Sequence, residues 1–403
     1  MHSSDRLPPS VLGHRWLQAL AGVGIVGVVL FFVVPTTRVV DWQGFDAEVY
    51  ALGGQALVDG EPIYAFLHEG FPFTYPPVAA VLFAPLAGLS LSVAAKVMLV
   101  IGVVAFVAAV RVLLERLYPG VPGHFGRSLV VAGPLLLTYP VITAYVSGQV
   151  DTVLILLVVT DLLLVRRGRG VLVGVAAAVK LTPAIFLFYF LVARDYAAAA
   201  RALAAGLAVT AVTWVALPSD SRFYWFDAVS DPSRVGTQTA ALNQSLAGVF
   251  ARALEPSGPT LTGGVRLAWV VACVAVIALG AWASARLLAG DRQVPAVMVW
   301  ALVGLVVSPI SWLHHWAWGA VVVLALLHDW WRGRGPSYAV LAALGLPAML
   351  TAPHWIFGSF VNYGETSSWG PVAQVFGSWL VWWGLAVVVL WGVTARRGLS
   401  APG

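Results

Sequence analysis

Lys180, one of only two lysines in the chain, sits in the otherwise apolar run VAAAVKLTPAIF. A charge at bilayer depth costs at least about 2.5 kcal/mol, so it should face a wet cavity or an anionic partner such as Asp151. The Thr182-Pro183 step that follows can open the helix and present backbone N–H groups to a phosphate or carboxylate. Asp46 stands among Phe45, Val49 and Tyr50, where partial desolvation raises the basicity of a carboxylate and suits it to general-base work. The same position suits a cap for a short helix from Ala47 to Leu57.

Other polar residues stand out against apolar surroundings. PFTYPP, Pro72 to Pro77, fixes an extended approach to the next apolar run and offers the Tyr75 hydroxyl, or serves only as a rigid joint. Ser147-Gly148-Gln149-Val150-Asp151 brings an amide and a carboxylate to the start of a span, with a helix cap at Asp151 or Ser147 as the alternative. Arg234, in Asp231-Pro232-Ser233-Arg234, can clamp an oxyanion bidentately or stand solvated in its loop. Asn243-Gln244-Ser245 adds two amides and also matches a glycosylation acceptor, a triplet that often arises by chance. Trp312, His314 and His315 lie in Ser308 to Trp316 and suit hydrogen bonding to a phosphate or sugar, with tryptophan against a sugar face. Adjacent histidines on a helix point about 100° apart and no further ligand stands at helical spacing, so no metal is expected.

The elements that position these residues are membrane helices. Of 403 residues, 60% are hydrophobic and 10% charged, with mean hydropathy +0.87; soluble domains carry about 25% charged residues. Long continuous apolar runs exclude a β-barrel, and a backbone in lipid must satisfy itself within helices. The expectation is an all-α polytopic bundle of roughly ten to thirteen spans in one domain, 1–403. Crossings are expected at 16–34, 76–93, 97–117, 150–165, 202–217, 265–288, 294–308, 316–331, 338–351 and 373–394. Broken hairpins are expected at 127–146 (Pro134, Pro140) and 171–193 (Lys180, Pro183). The first run lacks a small-residue cleavage site and reads as a retained helix. A lone Cys273 permits no internal disulfide or thiolate cluster. The net charge of +5 forms no basic face, so no nucleic-acid partner is expected.

With the N-terminus inside, the inner side gathers 14 of the 23 basic residues, as the positive-inside rule asks. Arg111, Arg116 and Arg127 fall outside in that arrangement. Two long outer loops result, 35–75 and 218–262, and loops of that length in a compact domain are usually functional. Asp46, Tyr75, Gln149, Asp151, Arg234, Asn243, Gln244, His314 and His315 all fall on the outer side, and one polar site there would account for them.

In order, DxxVY (Asp46 to Tyr50), PFTYPP, GQVD (Gly148 to Asp151), VGVAAAVKLTP (Val173 to Pro183), Asp231 to Arg234 with Val235-Gly236, NQS (Asn243 to Ser245) and SPISWLHHW (Ser308 to Trp316) resemble the actinobacterial polyprenol-phosphate-mannose-dependent mannosyltransferases of glycosyltransferase family 87. The resemblance implies a GT-C fold and inverting transfer of mannose from a polyprenyl-phosphate-mannose donor to a mannosylated glycolipid of phosphatidylinositol mannoside or lipomannan type, forming an α-1,2 linkage. It implies no cofactor and no obligatory metal. It maps the catalytic base onto Asp46 and the active-site histidines onto His314 and His315. With them would act Tyr75, Gln149, Asp151, Lys180, Arg234, Asn243, Gln244 and Trp312, toward the donor phosphate and sugar. A multi-pass plasma-membrane protein with an extracytoplasmic site follows. Where the family pattern has a hydrophobic residue and then Asn after GQ, this chain has Val150-Asp151. An arabinosyl or glucosyl transferase using the same lipid-phosphate chemistry, and a lipid-glycan flippase, are the competing readings; no matching half-sequences of the kind transporters show are present.

Overall fold

The computed structural model describes residues 12–65, 67–351 and 369–395. It is that of an all-α polytopic membrane protein. The described helices are α1 (Arg15–Val33), α2 (Phe45–Asp59), α3 (Pro77–Phe83), α4 (Leu91–Leu117), α5 (His124–Leu136), α6 (Tyr139–Val146), α7 (Asp151–Leu163), α8 (Val171–Val179), α9 (Phe186–Val192), α10 (Tyr196–Ala216), α11 (Pro218–Phe226), α12 (Leu246–Leu254), α13 (Gly263–Ala289), α14 (Gln293–Val307), α15 (Ala317–Trp331), α16 (Pro336–Leu350), α17 (Pro371–Gly377) and α18 (Trp379–Thr394). The only described strands are β1 (Leu67–His68) and β2 (Phe71–Pro72), an antiparallel pair.

Among the described helices, α1, α4, α10 and α13 are each long and apolar enough to cross a membrane unaided. Two further candidates are bent pairs, α5 with α6 at 97° and α17 with α18 at 57°. No residue of α1 is buried, as expected of a helix whose surroundings are lipid.

Contacts between helix ends sort the chain to two ends of the bundle. At one end Lys96 Nζ donates to Pro35 O (3.1 Å) and Gln43 Nε2 to Phe32 O (2.8 Å), and Gly44 N donates to Val146 O (2.8 Å). The end of α1 and the starts of α2 and α4 therefore meet the end of α6. At the other end a Cβ on Gly126 would collide with Gln18, Arg116 Nη2 donates to Gln293 Oε1 (2.8 Å), and Tyr118 meets His328 edge-on (4.9 Å). There Asp329 accepts from Arg292 Nη2 (2.6 Å) and Trp391 Nε1 (2.8 Å), and Tyr338 shares a hydrogen bond with Thr394 (2.6 Å).

Two of the expected segments change and a third keeps its form. Residues 76–93 do not cross: Gly88 N donates to Gln55 of α2 (3.1 Å), and a Cβ on Gly54 would strike the Phe83 backbone, so the segment lies along α2 at the first end. Consequently α4 runs the opposite way, Arg111, Arg116 and Arg127 move to the far end, and Lys96 moves to the near one. Residues 127–146 form a bent traverse, starting beside Gln18 and ending beside Gly44, rather than a hairpin. The 171–193 segment is a hairpin: Asp161 caps Gly170 N and Val173 N (2.7 and 2.8 Å), Arg169 reaches Asp195 (3.5 Å), and both feet stand at the far end with Lys180 at the tip.

The main apolar core joins α4 to α7 and α13 to α16 with α18. A second core, of Tyr50, Phe73, Tyr75, Phe83, Ala95, Met98, Leu154 and Val179 among others, underlies the first end. It anchors α2 and the PFTYPP segment to the bundle.

Candidate active site

The site starts at a clamp on α2. Gly44, in the left-handed region (φ +78°), is the N-cap of this helix, with no side-chain cap. Asp46 is its second residue and leaves the capping to backbone: Asp46 N and Ala47 N both donate to Ser147 O (3.0 and 3.1 Å). Gly148 makes the approach possible, since at φ +79° its Cβ would lie 2.5 Å from Ala47 Cβ. The carboxyl of Asp46 is thereby free for other work. Burial pushes it up to about 6, against the pull of the Gln149 amide, the Ser147 hydroxyl and Lys180.

Two tyrosines adjoin it. Tyr50, one turn on in α2 and so on the same helix face, and Tyr75 from PFTYPP both lie within hydrogen-bonding distance of Gln149 Oε1 (2.7 and 2.9 Å) and 2.7 Å from each other. Tyr50 belongs to the DxxVY motif but is not among the residues nominated from sequence. Its spacing of four from Asp46 is the signal that could have found it.

At the hairpin tip Lys180 Nζ donates to Asp151 Oδ1 (2.7 Å) and to His315 Nε2 (3.1 Å). An ammonium only donates, so His315 Nε2 is the acceptor and its proton resides on Nδ1. His314 lies edge-on to His315 (4.6 Å), its Nε2 3.8 Å from Asp151 Oδ2, beyond hydrogen-bond reach. Burial holds His314 down to about 4 and His315 well below its ordinary value, so both imidazoles are neutral at pH 7. Asp151, His314 and His315 could together ligate a metal, but the Lys180 ammonium already supplies that cluster with its cation.

A cavity of about 1820 Å³ joins these groups; Asp46, Tyr50, Tyr75, Gln149, Lys180, Arg234, Trp312, His314 and His315 all line it. Arg234 stacks on Phe223 (5.2 Å) and leaves Nε and Nη2 without hydrogen-bond partners. The Trp312 ring lies against Gly236, where a Cβ would stand 2.6 Å from it. On the rim, buried Glu48 ties Arg38 (2.6 Å) to His68 of β1 (2.9 Å).

Three nominated residues stand off this wall. Asp151 sits behind Lys180, lining a small void with His315 and Ser311. Asn243, fully buried, accepts from Ser311 N (2.9 Å) and Ser245 Oγ (2.8 Å) and donates to Gln238 O (3.1 Å). Gln244, also fully buried, donates to Ala241 O (2.8 Å) and Gly377 O (2.7 Å). The pair spends its amides on backbone, holding the 238–245 loop against the 308–311 segment and α17.

Comparisons with known proteins place the chain among glycosyltransferases. Residues 73–309 match the model of glycosyltransferase family 87. A polyprenol-phosphate-mannose-dependent α-(1-2)-phosphatidylinositol mannoside mannosyltransferase of Mycolicibacterium smegmatis is 37% identical, over 94% of this chain and 89% of that protein. The protein of the same description from Mycobacterium tuberculosis is 35% identical, over 96% and 91%. A pentamannoside mannosyltransferase of M. smegmatis, likewise polyprenol-phosphate-mannose-dependent, is 31% identical, over 97% and 95%. No solved structure matches. Family match and full-length likeness together establish that this chain belongs to glycosyltransferase family 87.

Proposed function

We propose that the chain transfers mannose from a polyprenyl-phosphate-mannose donor to a phosphatidylinositol mannoside-type glycolipid, with inversion to an α-1,2 linkage. The observation that carries this is one cavity lined by a carboxylate with raised basicity and by a separate cluster of cationic and neutral donors. Asp46 takes the proton of the acceptor hydroxyl as that oxygen bonds to C1 of the mannose. The C1–phosphate bond breaks with its electron pair on the phosphate oxygen. A phosphate leaving group asks for charge stabilisation more than for protonation, and Lys180, His315, His314 and Arg234 supply donors for it. Trp312 offers an aromatic face for a sugar. The lining residues all belong to one end of the bundle, which favours a transferase over a path through the membrane.

The site is taken to face the extracytoplasmic side of the plasma membrane. Charge supports this: Arg15, Arg111, Arg116, Arg127, Arg166, Arg167, Arg169, Arg194, Arg201, Arg286, Arg292, Arg332 and Arg334 lie at the far end. The site end holds only Arg38, Lys96, Lys180, Arg222, Arg234, Arg252 and Arg266 among the described residues. An excess of arginine marks the cytoplasmic side. Purified protein supplied with polyprenyl-phosphate-mannose and a phosphatidylinositol mannoside should yield an elongated glycolipid with a new α-1,2-mannose by linkage analysis. Transfer only from an arabinose or glucose analogue would overturn the donor. Labelling of Ser233→Cys but not Arg167→Cys by an impermeant maleimide on intact cells tests the sidedness, and the reverse pattern refutes it.

A further inference from the structure

The oxygens of Tyr50, Tyr75 and Gln149 form a buried triangle with edges of 2.7, 2.7 and 2.9 Å. It contains two hydroxyl protons and one atom, Gln149 Oε1, that can only accept, so the hydroxyls bind the oxygen end of that amide. Ionised Asp46 is also acceptor-only. Its backbone N–H docks on the Ser147 carbonyl (3.0 Å), two residues before Gln149, and both side chains line the same cavity. The amide lowers the carboxyl, which suits an N–H end turned toward it. Both demands select one orientation of the amide. A flipped amide would turn its oxygen toward a carboxylate and lose the hydroxyl donors. The hydroxyls are themselves held by ring packing, with Tyr50 stacked on Phe83 (4.3 Å, 2° between planes) and Tyr75 edge-on to Tyr50 (5.1 Å).

We propose that Tyr50 and Tyr75 are positioning residues that act through Gln149, locking its amide so that it donates to Asp46 and aims the carboxylate at the acceptor hydroxyl. This rests on the reading of Asp46 as the base. The groups whose charge bears on Asp46 are Tyr50 from its own helix, Tyr75 from the segment before α3, Asp151 from α7 and Lys180 from the hairpin tip. Removing the two hydroxyls leaves the Lys180–Asp151 pair in place (2.7 Å). Because Tyr75 also borders Lys180 (5.4 Å from its ring), it is the comparison with Gln149→Leu, alone and combined, that assigns a change in Asp46 to the amide.

The test uses the full chain in lipid nanodiscs with polyprenyl-phosphate-mannose and a phosphatidylinositol mannoside acceptor. It compares wild type, Tyr50→Phe, Tyr75→Phe, the double variant, Gln149→Leu and the three changes combined. Phenylalanine keeps the ring packing and removes only the hydroxyl. The double variant should lose about tenfold or more in kcat with KM for both substrates within about twofold, the pattern of a lost transition-state interaction. The acid limb of its kcat/KM profile should move up by about one pH unit, as for a carboxylate that gives up one hydrogen bond from a neutral donor. Gln149→Leu should reproduce both effects, and adding the tyrosine changes to it should cost nothing further. Wild-type kcat and an unmoved limb in the double variant, a rise in KM alone, or losses that add to those of Gln149→Leu would each overturn the proposal. Should the double variant not fold, each single tyrosine change combined with Gln149→Leu decides between the same outcomes. A wild type that uses a different sugar refutes the donor assignment alone, and the variants are then compared with that sugar.

Discussion

Replacing Asp46 by Asn tests chemistry and energetics together, because the two readouts should move in opposite directions. The asparagine keeps the shape of the side chain but takes no proton from the acceptor. Positioned general-base catalysis is worth about 10² to 10⁴ in rate, so kcat should fall by that factor. In the wild type the carboxyl must be ionised to act, and burial sets its titration at about 6. The kcat/KM of the wild type should therefore decline with unit slope below about pH 6, a limb that Asp46→Asn lacks. Stability runs the other way. The folded protein holds the Asp46 proton up to about 6 against an ordinary 3.8, so the ionised group opposes folding. That opposition is absent below pH 3.8, grows between the two values and is complete above about 6. A gap of about two pH units, at 1.36 kcal/mol each, makes it at most about 3 kcal/mol. Asp46→Asn should then melt a few degrees higher than wild type at pH 7.5, with the difference shrinking toward pH 4. Paired measurements of mannosyl transfer and of melting by tryptophan fluorescence decide it. Transfer above a tenth of wild type would remove Asp46 as the base, and a lower melting temperature at pH 7.5 would refute the view of it as a carboxylate destabilised by burial.

Three more outcomes are expected. Lys180→Met strips Asp151 of its partner and should cost about 3–5 kcal/mol; adding Asp151→Asn should restore melting without restoring transfer, and a lone Lys180→Met that melts like wild type would contradict the buried pair. Arg234→Gln should raise the donor KM by roughly 10- to 100-fold, the value of a charge-assisted hydrogen bond, with melting unchanged; an unaltered donor KM would take Arg234 off the phosphate. Asn243→Ala should destabilise by about 1–3 kcal/mol for each buried partner it abandons, seen as a lower melting temperature with KM for both substrates unchanged in the protein that remains folded, whereas a KM effect at full stability would return Asn243 to the substrate.

What the sequence made legible was whatever a single local run determines. The lysine and proline that interrupt 171–193 marked where that helix breaks, as the prolines of 127–146 marked a bend; a breaker fixes the position of the break, and whether the chain turns back is decided by packing. Of the residues nominated between apolar runs, Asp46, Tyr75, Gln149, Lys180, Arg234, Trp312, His314 and His315 line one cavity, while Asp151, Asn243 and Gln244 find partners behind it, since a buried polar group needs a partner but not a common one. What stayed hidden was decided by distant docking. Asp46 reads equally well as a helix cap until the Ser147 carbonyl, about a hundred residues away, takes both backbone donors. Pro77 to Leu86 is apolar enough for a span, yet ten helical residues rise only about 15 Å, half a bilayer, and its partner is α2. That one misplaced crossing reversed α4 and put three arginines on the wrong side. Asn243 and Gln244 have the composition of a ligand site, and only the positions of Ser311 and Gly377 reveal that their amides serve the backbone.

The hairpin with its tip at Lys180 also bears on how the chain reaches its bilayer. Its feet stand at one end of the bundle while its tip meets Asp151 at the start of α7 (2.7 Å), so the ammonium rests there as half of an ion pair and not as a lone charge. During synthesis α7 precedes it, so the Asp151 counter-ion is already threaded when the lysine arrives. The costliest charge in the sequence is neutralised by the helix made just before it, and the order of the two segments along the chain is itself part of what makes insertion feasible.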